Sequence, residues 1–116
     1  QHALLSLFDQ FYSGQLSLSQ IVQKTAHNPA IRYGVKDRGY IREGYFADLV
    51  LVSQKKSLIV TKENILYHCK WSPFLNHQFK ASIKSTWVNG MKVFDGQNVS
   101  ENTDNTKIAM RLEFNK

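Results

Sequence analysis

The chain has 116 residues, enough for one small domain and far short of the roughly 250 residues of a complete (β/α)₈ barrel. Its 42% hydrophobic and 12% aromatic residues exclude a disordered tail, because that content supports a packed core. The net charge is +6, but the longest contiguous basic run is Lys55-Lys56, so we expect solvated surface charge and no nucleic-acid interface.

The composition also bears on the compartment. No run of about 20 apolar residues is present, so the sequence predicts no membrane span, and the N-terminus lacks the pattern of a signal peptide. The single cysteine, Cys69, excludes an internal disulfide and fits a reducing compartment, so we expect a cytoplasmic protein. The chain begins without methionine in an apparent helix, which suggests a fragment, although a trimmed mature terminus would look the same.

The first third of the chain predicts three helices. Apolar residues recur at helical spacing over residues 3–13, and Gly14 provides a stop. Residues 17–20 have the form of a capping box that begins the second helix. Asn28-Pro29 predicts a new cap with proline at the first helical position, and this third helix runs to Gly34.

The pattern then changes to the period of β-strands. Residues 40–42 and 47–53 flank a turn at Glu43-Gly44, which predicts a β-hairpin whose second strand is too continuously apolar for a one-sided sheet. Residues 58–60 predict another short strand. Thr61 then predicts the cap of a short helix near residues 62–68.

Asn89-Gly90 is the strongest turn signal. It joins residues 84–88 to residues 91–94, and the two residues supply the positive φ angles that a type I′ hairpin turn needs. The polar stretch near 97–107 predicts a mobile loop. Residues 108–114 alternate between apolar and polar, which predicts a last strand.

Few residues suggest chemistry within this chain. Adjacent side chains on a helix point in different directions, so His68 beside Cys69 is a poor metal pair. Cys69 would be a nucleophile only with a base brought close by folding, and we expect a small buried thiol instead. The four histidines have none of the spacings of a dedicated metal site, so we expect no bound metal: His2, His27, His68 and His77.

Further positions could serve either a functional or a structural role. Asp48 at the start of a strand could be a general base, but we expect a structural carboxylate that accepts N–H groups of the turn at residues 43–46. We likewise expect Asn89 and Gly90 to be structural. The aromatic residues of the 71–79 stretch could line a ligand cleft or pack one domain against another: Trp71, Phe74 and Phe79.

Several ordered motifs resemble one enzyme family. The helix that begins Asn28-Pro29-Ala30, followed by residues 39–52, resembles the C-terminal region of the amidohydrolase superfamily. Residues 71–74, Phe79 and residues 86–96 resemble a succession shared by dihydroorotases, allantoinases and dihydropyrimidinases, which are the cyclic amidohydrolases. The forms of residues 69–74 and 110–114 look most like a bacterial dihydroorotase. The resemblance covers about residues 1–98 and departs at Leu75-Asn76, where Glu-Gly is usual.

The resemblance implies an α+β fold. Residues 1–36 would form the last helix of a metal-dependent-hydrolase β/α barrel and the helices after it. Residues 37–116 would form the C-terminal part of a small composite β-sandwich, whose other strands come from the N-terminal end of the chain. The expected partner is therefore the remainder of the same chain. Exposed edges and an uncovered first helix also predict a homo-oligomer.

The resemblance also implies a zinc hydrolase that interconverts dihydroorotate and N-carbamoyl-aspartate in pyrimidine biosynthesis. Its zinc ions would be held by barrel residues with no counterpart in this chain, so the chain alone would be inactive. Gln1 and His2 would border the substrate loop. Two alternatives remain open: a different cyclic amidohydrolase or a non-catalytic homologue, and an independent β-rich binding module.

Overall fold

The computed structural model describes residues 1–100 and 112–114, and within them helices precede strands. β1, β4 and β5 form an antiparallel sheet in the order β1-β4-β5, and β2 pairs with β3 in a second antiparallel pair. The elements are α1 (Ala3–Tyr12), α2 (Leu18–Val22), a π-helical turn (Gln23–His27), α3 (Asn28–Tyr33), β1 (Leu49–Ser53), β2 (Leu58–Ile59), β3 (Gln78–Phe79), β4 (Ser82–Val88) and β5 (Met91–Phe94).

The predicted start of α2 is confirmed. Ser17 Oγ accepts the N–H of Gln20 at 3.2 Å, and Gln20 Oε1 accepts the N–H of Ser17 at 2.8 Å. This capping box satisfies two donors that the first turn of the helix would otherwise leave unpaired. Gly14 follows α1 with φ +77°, as a helix stop requires.

The cap predicted at Asn28 is wrong. Asn28 has helical angles (φ −63°, ψ −42°), and its N–H donates to the carbonyl of Gln23, five residues earlier. Pro29 has no N–H to donate, and its ring would crowd the carbonyl of Thr25 in a regular α-helix. The wider π turn accommodates the proline, so the helical path continues from α2 into α3.

The hairpin predicted across Glu43-Gly44 is also wrong. The turn is present, with the Tyr45 N–H donating to the Arg42 carbonyl at 3.2 Å, but residues 40–42 form no strand. Tyr40 instead stacks on His27 with ring centroids 4.2 Å apart, and the Arg42 guanidinium lies 4.4 Å from the Tyr40 centroid. These contacts hold the segment against the helices, and β1 pairs with β4.

The short helix predicted near residues 62–68 is replaced by turns. The Gln1 side chain satisfies backbone groups that a helix would have paired. Its Nε2 donates to the Asn64 carbonyl at 2.7 Å, and its Oε1 accepts the N–H of Leu66 at 2.9 Å. Backbone groups bonded in this way are not available to a helical ladder.

The hairpin at Asn89-Gly90 is confirmed, with φ +51° and +79° at the two turn residues between β4 and β5. The loop predicted at 97–107 and the strand predicted at 108–114 fall mostly on residues 101–111, which lie outside the described residues. Phe114 forms an isolated bridge with Val35.

One buried cluster joins α1 to the segment that contains β2 and β3. Phe79, Val60 and Ala81 are fully buried, and α1 contributes two buried side chains, so the prediction that the first helix is uncovered is wrong. Burying such side chains is the main favourable term for folding. The cluster consists of Leu5, Phe8, Val60, Ile65, Phe79 and Ala81.

Candidate functional site

The start of the chain is fastened to residues 64–67. The Gln1 side chain donates from Nε2 to the Asn64 carbonyl at 2.7 Å and accepts the Leu66 N–H at 2.9 Å. The Tyr67 hydroxyl accepts the N–H of His2 at 3.2 Å and the amino terminus of Gln1 at 2.9 Å. Gln1 and His2, predicted to border a substrate loop, are thus held in one position.

His2 is completely buried in an aromatic cage. Its ring stacks on Phe79 at 5.7 Å and meets Phe74 and Tyr67 edge-on at 5.8 and 5.6 Å. Its Nδ1 lies 3.1 Å from Ser72 Oγ, which also accepts the N–H of Phe74 at 3.2 Å. Nε2 has no hydrogen-bond partner in the described part of the chain.

This environment favours the neutral imidazole. Burial lowers the pKa of His2 below its ordinary value, and the positive amino terminus of Gln1 lowers it further. Desolvation acts in this direction because it penalises the charged form of a histidine. His2 is therefore an uncharged side chain that links the start of α1 to the loop at Ser72.

A second cluster joins the loop before β1 to the β4–β5 turn. Arg38 Nη1 forms an ion pair with Asp48 Oδ2, and Arg38 Nη2 donates to Asn89 Oδ1 at 2.7 Å. Asp48 Oδ1 accepts the N–H of Asn89 at 2.8 Å. We call these three residues the Arg38–Asp48–Asn89 clamp. The guanidinium also lies over the Phe46 ring, 4.1 Å from its centroid.

The clamp corrects the donors predicted for Asp48. The carboxylate bonds Arg38 and the Asn89 N–H rather than N–H groups of the turn at residues 43–46. A guanidinium is always protonated in proteins, and its planar fork matches carboxylate and amide oxygens at once. Asp48 still has a structural role, because its carboxylate holds the backbone of Asn89 in place.

Cys69 is exposed, so the prediction of a buried thiol is wrong. Its Sγ lies 3.5 Å from the Trp71 carbonyl. The aromatic residues of the same segment divide: Phe79 is fully buried in the core, whereas Trp71 is 64% exposed. They do not line one cleft together.

The donor set does not fit a metal ion. Among residues 1–100 and 112–114, no three histidine, cysteine, aspartate or glutamate side chains come together. His77 is bonded to Asp9, with Nε2 2.7 Å from Oδ2, and His2 is enclosed by aromatic rings. Zinc takes three or four converging ligands, and the described residues do not supply such a set.

The sheet leaves much apolar surface uncovered. Among the described strands, β1 pairs on one side only, and Leu49, Val50 and Leu51 are each more than a third exposed. Ile41 is 89% exposed. No helix within the described ranges is long and apolar enough to cross a membrane. Apolar surface of this kind is unusual on a protein that stays monomeric.

An open depression on the surface is not a better candidate for a ligand site. It lies beside α3 and has a volume of about 230 Å³. Its cationic side chains are already used, because Arg38 pairs with Asp48 and Lys36 pairs with Glu113 at 3.2 Å. The wall is formed by Ala30, Ile31, Val35, Lys36, Asp37, Arg38, Tyr40 and Tyr45.

Comparison with known proteins identifies the family. The model of the amidohydrolase family matches residues 2–93, most of the chain. The chain belongs to the amidohydrolase family. The resemblance expected from the motifs is confirmed, and members of this family are hydrolases.

Similar proteins include dihydroorotases and a hydantoinase. A dihydroorotase of Endomicrobium trichonymphae is 40% identical over 78 residues, covering 67% of this chain and 18% of the relative. A dihydroorotase of Halobacterium salinarum is 36% identical over 100 residues, covering 84% and 23%. The solved L-hydantoinase (dihydropyrimidinase) of Arthrobacter aurescens matches with a TM-score of 0.69 and 26% identity, covering 78% of this chain and 20% of that one. The chain thus spans about a fifth of the length of these relatives.

Three of the residues that organise these clusters were not singled out from the sequence. Arg38 lies in an unremarkable Asp37-Arg38-Gly39 stretch, and only folding brings it to Asn89, 51 residues later. Tyr67 was assigned to a helix that does not form. Ser72 belongs to the motif at residues 71–74, but its contact with His2 spans 70 residues and has no signal in the neighbouring sequence.

Proposed function

We propose that this chain is the C-terminal segment of a dihydroorotase, the zinc hydrolase that interconverts dihydroorotate and N-carbamoyl-aspartate in pyrimidine biosynthesis. The observation that carries the proposal is the 40% identity over 78 residues to a dihydroorotase, together with the family match over residues 2–93. The cytoplasm is the expected compartment, since a lone, exposed Cys69 suits a reducing environment.

In this proposal the chain supports the active site and contains none of its metal ligands. The converging ligands that zinc requires are absent from residues 1–100 and 112–114, so the zinc would be held by other parts of a longer protein. The chain alone is then inactive. Its contribution begins at Gln1 and His2, which residues 64–72 hold in place beside whatever precedes them.

The uncovered apolar surface supports the same proposal. In a longer chain, β1 would pair with a strand from the N-terminal end, and the exposed apolar side chains of α2 and α3 would pack on the barrel. A strand edge with Leu49, Val50 and Leu51 exposed lacks the charges and prolines that protect natural edges. When the chain is isolated, the same edge would pair with a second copy, so we expect self-association.

A hydantoinase-type enzyme is the second candidate, because the matching solved structure is an L-hydantoinase (dihydropyrimidinase). Both candidates open a cyclic amide, and they differ in the ring that they accept. The residues that choose the ring would lie outside this chain, so its own contacts favour neither.

Two measurements test the proposal. An antibody against this chain, used on extracts of its source cells, measures the mass of the polypeptide that carries it; a species far above 13.4 kDa is expected. The protein captured by the antibody is then assayed for ring opening of dihydroorotate and of a substituted hydantoin. Hydrolysis of dihydroorotate supports the first candidate, and hydrolysis of the hydantoin alone supports the second. A species of 13.4 kDa only would refute both and leave a free-standing module.

A further inference from the structure

The β4–β5 turn contains a chemically labile pair. Asn89-Gly90 is the one asparagine–glycine pair in the sequence. Such pairs are the most prone to deamidation because glycine has no side chain to shield its backbone nitrogen. The turn is at the surface, with Gly90 exposed and no atom within 4 Å of the position that a Cβ would occupy.

The reaction is intramolecular and requires only water. The backbone nitrogen of Gly90 loses its proton to solvent and attacks Cγ of the Asn89 side chain. A new N–C bond closes a succinimide ring, the Cγ–Nδ2 bond breaks, and Nδ2 takes up a proton and leaves as ammonia. Water then opens the ring at one of its two carbonyls, leaving aspartate or isoaspartate.

The structure ties the two reacting groups to different partners. The Gly90 N–H donates to the Ala47 carbonyl at 3.0 Å, so its proton is held and its nitrogen is directed at that carbonyl. The carbonyl to be attacked is held by Arg38, with Nη2 2.7 Å from Asn89 Oδ1. Asp48 fixes the backbone between them by accepting the Asn89 N–H at 2.8 Å.

Arg38 has two opposing effects on this reaction. Its guanidinium polarises the Asn89 side-chain carbonyl, which favours attack, and one well-placed donor of this kind is worth about 10²–10³-fold in rate. Its bond also fixes the side chain of Asn89 while the Gly90 N–H is held at the Ala47 carbonyl, so the two reacting groups are not free to align, and intramolecular alignment is worth effective molarities of about 10⁵–10⁸ M. Loss of alignment is the larger effect, so the net result is protection.

We propose that Asn89 is a latent deamidation site whose reaction is suppressed by the Arg38–Asp48–Asn89 clamp and by the Gly90–Ala47 hydrogen bond. When the clamp opens, the site reacts irreversibly. The product aspartate places a second carboxylate beside Asp48 for a single guanidinium. The product isoaspartate adds a methylene to the backbone of a two-residue turn, so the pairing of Val88 with Met91 is lost. This inference does not depend on the proposed enzymatic function.

The test follows deamidation by peptide mapping with mass spectrometry during incubation at mildly alkaline pH. The rate at Asn89 is measured in the folded chain and in the same chain held in urea above its unfolding transition. We expect the folded chain to react more slowly by about tenfold or more, which corresponds to at least about 1.4 kcal/mol for opening the clamp. Equal rates in the two states overturn the proposal whatever any variant does.

A matched pair of variants assigns the protection to Arg38. Arg38→Met removes the guanidinium and keeps an apolar stem over Phe46, whereas Lys92→Met makes the same change of charge on the β4–β5 hairpin, outside the clamp. We expect deamidation at Asn89 to accelerate in Arg38→Met and to keep the wild-type rate in Lys92→Met, with circular dichroism reporting the fold of each. An unchanged or slower rate in a folded Arg38→Met chain overturns the role given to Arg38.

Discussion

Acidification should weaken the fold through His2. The unfolded chain exposes this imidazole to water, where it protonates near its ordinary pKa of about 6.5. In the folded chain the pKa is lowered, first by burial and then by the amino terminus of Gln1. The unfolded state therefore binds more protons below pH 6.5, and the stability present above that pH is lost as pH falls toward the folded pKa.

The size of the effect has an upper bound. One proton bound by the unfolded chain and not by the folded chain changes the free energy of unfolding by about 1.4 kcal/mol per pH unit. The slope reaches this bound only where the unfolded chain is protonated and the folded chain is not. We expect a slope of this sign and no larger than the bound below pH 6.5, because Nε2 is buried with no hydrogen-bond partner among the described residues that would stabilise an imidazolium.

The assay is urea unfolding of the chain at several pH values between 7 and 5, followed by Trp fluorescence. His2→Asn is the matched control, since its side-chain amide can still bond Ser72 Oγ at the position of Nδ1 but does not titrate. The variant is less stable at every pH because it leaves a cavity, so only the slopes are compared. Parallel slopes for the two proteins between pH 7 and 5 would refute the assignment of His2 as the buried neutral group.

Three further predictions concern packing. Phe79→Ala should lower the free energy of unfolding by about 3–5 kcal/mol, measured by urea titration, because Phe79 is fully buried in the core; a loss below 1 kcal/mol would contradict that burial. Gly39→Ala should destabilise more than Gly44→Ala: both have φ near +80°, but only at Gly39 would a Cβ lie 2.5 Å from Ala30 Cβ. Equal midpoints in thermal unfolding would count against that contact. Val50→Lys places a charge on the β1 edge and should shift sedimentation of the isolated chain toward monomer. A wild-type chain that already sediments as a monomer in dilute solution would contradict the predicted self-association.

Local chemistry explains the features that the sequence predicted correctly. The capping box at residues 17–20 forms from bonds between residues three apart, and Asn89-Gly90 supplies positive φ by residue type alone. Motif order also sufficed for the family, since residues 2–93 match it. The division at residue 36 and the parts given to Gln1 and His2 at a substrate loop remain predictions.

The errors occur where distant residues compete for the same backbone. Residues 40–42 alternate like a strand, but Tyr40 stacks on His27 of the π turn and leaves β1 to pair with β4. Thr61 resembles the cap of a helix over residues 62–68, but Gln1 bonds the backbone groups of Asn64 and Leu66 from more than 60 residues away. Period and propensity describe only near neighbours, so such contacts cannot be read from them.

The sequence by itself determined the turn at residues 89–90, the capping box at residues 17–20, the apolar content and the family. Tertiary structure alone decided which charged groups meet. Arg38, Asp48 and Asn89 form one clamp because the β1–β4 pairing brings residue 48 beside the turn at residue 89. The pKa of His2 is lowered mainly by burial, because three aromatic rings from residues 67–79 enclose it. Burial and charge pairing depend on positions in space, and a linear pattern specifies those positions only after the chain has folded.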